Sequence, residues 1–231
     1  MRILWIIGAA ILSIAMPCYA ELELQQLYGL REKAALQEFV QQVENRIKSH
    51  SSDIKKLKML GIAYHNSATL KIKGASRKAV SYLQKAHFLS PNDDEVQAYL
   101  GSATTMMGRD SWNVLTKISN VNKGIKMMDQ AVARLPENIA VRMVRANNSL
   151  DLPESFHRKE IAKKDFQHLE TLIIKPSLDI EPDIKAEVFY QLGKFYQREG
   201  NILLAREYFK KAVNASSNSQ WGKESARSLE P

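Results

Sequence analysis

Histidine is the residue type in this chain best suited to chemistry, and its spacing gives it little to work with. His50, His65, His87, His157 and His168 are scattered along 231 residues, without a His-Glu-x-x-His pair or paired cysteines to complete a zinc site. His157-x-x-Glu160 and Asp165-x-x-His168 would each set two ligands on one helix turn, but no third ligand is fixed beside either. A glycine-rich phosphate loop and a Gly-x-Ser-x-Gly nucleophile elbow are also missing from the sequence. The expectation is a chain with no metal site, no cofactor and no catalytic residues.

Three groups of polar residues are less generic. Arg142 and Arg145 stand one helix turn apart among Val141, Met143 and Val144, so their guanidinium groups are expected to be partly buried. A buried arginine needs a carboxylate, and Asp110, Asp129 and Asp165 are the candidates. The first reading is a structural ion-pair cluster, and the alternative is a site for a ligand anion. The segment Arg109-Asp110-Ser111-Trp112-Asn113 puts a large aromatic beside charged groups. Trp112 is expected to fold back and seal the core, with a partner contact as the alternative. Lys55, Lys56, Lys58, Lys71, Lys73, Arg77 and Lys78 make a basic cluster near Tyr64.

The elements that must position these residues are helices. Ala, Leu, Lys, Gln and Glu are abundant from residue 21 onward, and no alternating Val/Ile/Thr run is long enough for a strand. Val188, Leu192, Phe195 and Tyr196 recur at helical spacing. Turn signals at Ser51-Ser52-Asp53, Ser90-Pro91-Asn92-Asp93, Leu135-Pro136-Glu137-Asn138 and Lys175-Pro176 separate the helical runs. Aligning those turns exposes a repeat. Leu60-Gly61-x-x-Tyr64 returns as Leu100-Gly101 and as Leu192-Gly193-x-x-Tyr196. Ala79, Leu83 and Ala86 match Gly124, Met128 and Ala131 in the following helices. Small residues at these places let two helices approach closely.

With Gly200, Ala205, Phe209 and Ala212, the last copy resembles the tetratricopeptide repeat (TPR) signature. The resemblance covers residues 54–218, in repeats at 54–93, 94–138, 139–180 and 185–218. Only the last keeps the 34-residue period; the first carries about six extra residues and the second about eleven. It implies an all-α, helix–turn–helix α-solenoid of three to four repeats with helical caps. It also implies a concave groove, lined by the first helix of each repeat, that holds another protein or peptide. Carried onto those helices, the inner faces offer Lys55, Lys58, Ile62 and His65, then Glu95, Ala98, Ser102 and Thr105, then Asn147, then Glu187, Tyr190, Lys194 and Gln197. Residues 21–53 read as a capping helix or degenerate repeat, and 219–231 as a closing segment.

The N-terminus carries an address. Arg2, the apolar run Ile3 to Met16 and Cys18-Tyr19-Ala20 read as a secretory signal peptide cut after Ala20, and the run is short for a membrane span. Pro17 before Cys18 argues against a lipoprotein signal. Cleavage would leave 32 basic against 25 acidic side chains, a net charge of +7, and no cysteine. An exported, periplasmic chain of that charge suits acidic partners or an anionic membrane surface, and no nucleic acid is expected. The functional expectation is a non-catalytic protein-binding or assembly scaffold of the cell envelope. The alternatives are an accessory subunit docking on an anionic membrane surface and an enzyme with an unrecognised site.

Overall fold

A computed structural model describes residues 27, 30, 32–46 and 52–230. The segment read as a signal peptide, with Cys18 and the expected cleavage after Ala20, lies outside the described residues. Among the described residues ten α-helices follow one another: α1 (Lys33–Arg46), α2 (Ile54–Thr69), α3 (Ala75–Leu89), α4 (Asp94–Arg109), α5 (Val114–Arg134), α6 (Ile139–Asp151), α7 (Lys159–Ile173), α8 (Pro182–Arg198), α9 (Ile202–Ala215) and α10 (Gln220–Leu229). A short 3-10 turn, Glu154–Phe156, precedes α7, and no strand occurs among the described residues. The fold is an all-α, TPR-like solenoid.

Short polar side chains start most of these helices. Asp53, Asp93, Asn113, Asn138, Asn201 and Ser219 each accept a hydrogen bond from a backbone N–H in the first turn of the following helix. Each cap satisfies a donor that the helix itself leaves unpaired. The helices then pair as α2/α3, α4/α5, α6/α7 and α8/α9, and the first helices also pack on one another.

The repeated landmarks are packing devices. A methyl group on Gly193 would fall 2.5 Å from the Phe209 ring, so glycine is what lets α9 press against α8. Gly61 faces Leu83 in the same way. The tyrosine of the motif closes the seam to the preceding helix. Tyr64 stacks on Tyr82 at 5.7 Å, and both hydroxyls donate to Glu44 of α1, at 2.6 and 3.1 Å. Tyr196 stacks on Tyr208 at 5.4 Å, and Tyr208 donates to Glu170 of α7 at 2.7 Å. A lysine, Lys78 or Lys211, completes each group. Burial, reinforced by the adjacent carboxylate, holds Tyr64 and Tyr208 well above the ordinary phenol pKa.

The core has two parts that meet at α6. Val141 and Val144 belong to the cluster that runs back to α1, while Met143 and Ala146 belong to the cluster that runs on to α9. The ends are closed by the flanking helices. Asn66 of α2 donates to the carbonyls of Leu27 and Leu30, and the Trp221 ring of α10 packs at a tilt against Tyr190, 5.2 Å between centroids.

The extra residues of the second repeat do not form a loop. They lengthen α5 to 21 residues, against 15, 15 and 14 for α3, α7 and α9. Asn113 caps it, which leaves a turn of only four residues, 110–113.

Candidate functional site

The stripe expected to line the groove mostly fills the seams between consecutive first helices. His65 of α2 is 5% exposed and shares a hydrogen bond of 2.9 Å with Ser102 of α4. Asn148 of α6 donates to Ser102 at 3.2 Å and to Thr105 at 2.5 Å. A polar ladder therefore links α2, α4 and α6. Glu187 is 6% exposed, and Tyr190 is packed between Phe209 and Trp221. His65 and Glu187, expected on the groove face, are thus buried in the helix seams, while Tyr190, expected there too, is half-buried. The three-and-four spacing identifies a helix face, but the crossing of neighbouring helices decides what that face meets.

The remaining candidates keep more access. Lys58 is held against Asp93 and Glu95 at 3.0 and 3.2 Å, whereas Lys55 is exposed. Lys194 donates to Gln197 at 3.1 Å on the outer turn of α8. Asn147 is half-buried, and its side-chain carbonyl oxygen is buried without a donor among the described residues. The carbonyl oxygen of Asn148 is in the same state. A buried acceptor left unbonded costs free energy that an incoming N–H would recover.

Trp112 does not seal the core. It is 93% exposed. The expectation failed because it assumed a long loop needing an apolar anchor, and the short turn is held by polar bonds instead. Arg109 Nε pairs with Asp110 at 2.8 Å and its Nη2 donates to the Ala68 carbonyl at 3.2 Å. Ser76 donates to Asp110 at 2.7 Å. Burial works against ionisation of Asp110, but the bonds from Arg109 and Ser76 outweigh it and hold its pKa below the usual carboxylate value.

The two arginines of α6 meet a buried aspartate. Asp165 of α7, whose side chain is 1% exposed, accepts from Arg142 Nη1 at 2.7 Å and from Arg145 Nε and Nη2 at 2.8 and 2.7 Å. Arg145 also reaches Asp129 of α5 at 3.1 Å. Burial acts to lower the pKa of Arg145, but the bonds and charge of Asp165, then Asp129, raise it. Asp110 lies apart from this group, on the α4–α5 turn. In its place comes Arg158, which binds Asp129 at 2.6 and 3.0 Å. Arg158 stands at the start of α7, outside any helical pattern, so nothing in the spacing singled it out. The three arginines and two aspartates occupy the junction between the two core clusters.

Asp165 and His168, spaced as two ligands on one helix turn, serve different partners. Asp165 serves the arginines while His168, one turn on, bonds Glu137 at 2.8 Å. Hydrogen bonds from Lys175, then His168, lower the Glu137 pKa. Among the described residues no group of three or more His, Cys, Asp or Glu converges as a metal site would require.

Residues 186–219 match the family model of the tetratricopeptide repeat. No curated protein matches the sequence. Among solved structures, the fold is similar to that of a thermophilic TPR protein of Thermus thermophilus, at a TM-score of 0.66 and 13% identity over 91% of this chain and 98% of that one. MamA of strain AMB-1 is also similar, at a TM-score of 0.46 and 16% identity over 85% of this chain and 99% of that one.

Proposed function

We propose that this chain is a non-catalytic scaffold of the cell envelope that holds another protein along its first helices. Asn147 carries the reading. It lies midway along the solenoid, half-open to solvent, with a buried acceptor that no described donor satisfies. Rotation of the half-exposed Asn147 side chain would present that acceptor to a backbone N–H of a bound peptide. Lys55 at one end and Gln197 at the other are exposed polar groups on first helices of the same array. Helical solenoids bind through extended surfaces of this kind, to which several repeats contribute. Location in the envelope rests on the N-terminal sequence, and N-terminal sequencing of the native protein that begins at Glu21 would support it.

A photo-crosslinker at position 147, activated in intact cells, tests the binding reading. The expected result is a discrete adduct that is absent when the crosslinker stands at position 88. No adduct from position 147, or the same adducts from both positions, would overturn it.

A further inference from the structure

The helix-length mismatch in the second repeat leaves an apolar surface that the fold does not use. Val114 and Ile118 continue the same stripe of α5 as the buried Val121, Met128 and Val132. Arg145 of α6 reaches Asp129 of α5, so in this antiparallel pair Asp151 at the end of α6 comes level with about Lys123. The first turns of α5 run past it. α6 has 13 residues against 21 in α5, an overhang on the order of 10 Å at the rise of an α-helix. The uncovered turns and the preceding tip expose Trp112 (93%), Leu115 (79%), Val114 (65%) and Ile118 (45%).

The charges around this tip are predominantly positive. The bonds Ser76–Asp110 and Arg109–Ala68 tie the α4–α5 turn to the α2–α3 turn, which brings in Lys71, Lys73 and Arg77. Together with Lys117 of α5, these exposed cations have no carboxylate partner among the described residues. The sequence holds no acidic residue from 70 to 92 or from 111 to 128. Asp110, the one acid at the tip, is engaged by Arg109. Phe88 is 83% exposed as well, but it stands on the opposite edge, where the α3–α4 turn contributes Asp93, Asp94 and Glu95. Those three acids are paired with Lys58 and Arg134.

We infer that the α4–α5 tip is a docking surface for an anionic lipid bilayer. Tryptophan and leucine on a convex tip, with lysines and arginines set behind them, match the order of a membrane interface: acyl boundary first, then phosphates. The apolar groups of the tip are exposed, so they can enter a fluid interface without a shaped recess to receive them. Each cation near an anionic surface strengthens association about fivefold at moderate salt. Docking at this edge leaves the first-helix face with Asn147 free, so it stands apart from protein binding in the groove.

The test is partitioning of the purified protein onto vesicles of phosphatidylcholine with and without phosphatidylglycerol. Three proteins are compared: the parent, the double substitution Trp112→Ser/Leu115→Ser, and Phe88→Ser. All carry the same N-terminal sequence, so its contribution cancels. The parent should bind the anionic vesicles, and the double substitution should lower its partition coefficient at least about tenfold through lost apolar insertion. Phe88→Ser should leave binding unchanged, and raising NaCl from about 50 mM to about 0.5 M should release the parent. Equal binding by the parent and the double variant would overturn the proposal, as would an equal loss in Phe88→Ser or no preference for anionic vesicles. A concentration-dependent dimer abolished by the double substitution would assign the patch to a second copy of this chain instead.

Discussion

Replacing Asp165 with alanine should cost about 3 to 4 kcal/mol of folding stability, and the number can be worked from the junction at α6. Asp165 is fully inside and accepts three charge-assisted bonds from Arg142 and Arg145. Such bonds contribute about 1.5 to 3 kcal/mol each, but their sum overstates the loss. Arg142 keeps the Pro136 carbonyl at 2.6 and 2.9 Å, and Arg145 keeps Asp129. What remains is two guanidinium groups, 11% and 15% exposed, with one carboxylate removed. Breaking a buried pair from one side costs about 3 to 5 kcal/mol, and the surviving contacts put this case at the lower end. For a chain of this size the midpoint should fall by about 6 to 16 °C. Urea unfolding followed by circular dichroism, with tryptophan fluorescence as a second probe, measures it. Adding Arg142→Met and Arg145→Met to Asp165→Ala should recover much of the loss, because apolar groups of similar length need no partner. A loss below about 1 kcal/mol with an unchanged denaturant slope would refute a structural role for the cluster. An anion-binding role would then be the surviving explanation.

Other perturbations probe the remaining devices. Trp112→Ala should leave stability within about 0.5 kcal/mol of the parent in the same urea experiment, because an exposed side chain loses no packing. Gly193→Leu should cost about 2 kcal/mol or more, since its Cβ would collide with the Phe209 ring; an unchanged melting temperature would contradict the close approach. Tyr64 and Tyr208 have raised pKa values, so their contribution to stability is present below about pH 10, the unfolded phenol value, and is lost as pH rises through the folded value. Burial also raises Tyr82 and Tyr190, so ultraviolet titration should show four phenols ionising after the bulk, and Glu170→Gln should bring Tyr208 downward. If all tyrosines titrated together near about pH 10, burial against Glu44 and Glu170 would not be acting on them.

The groove residues show how far periodicity reaches. Lys55, Lys194 and Gln197 remain accessible on first helices, yet His65 and Tyr190, chosen by the same spacing, are occupied by Ser102 and Trp221. Spacing along one helix contains no information about the angle at which the next helix crosses it. The pairing of Arg142 and Arg145 with an aspartate followed from chemistry, because guanidinium groups among valines require an anion. Which aspartates, and the entry of Arg158, depended on how α5, α6 and α7 converge.

By itself the sequence determined the helices, their caps and the small-residue contacts that pair them. These are local matters: Asp93 or Asn138 meets a backbone N–H three residues ahead, and Gly193 and Phe209 lie within one repeat. Tertiary structure decided where the extra residues of the second repeat went. Because α5 could absorb them as added turns, and because Pro153 follows soon after α6 ends, the two helices differ in length. That difference is a relation between elements that no local pattern encodes. It turned Trp112 from an expected core seal into the most exposed large apolar side chain described.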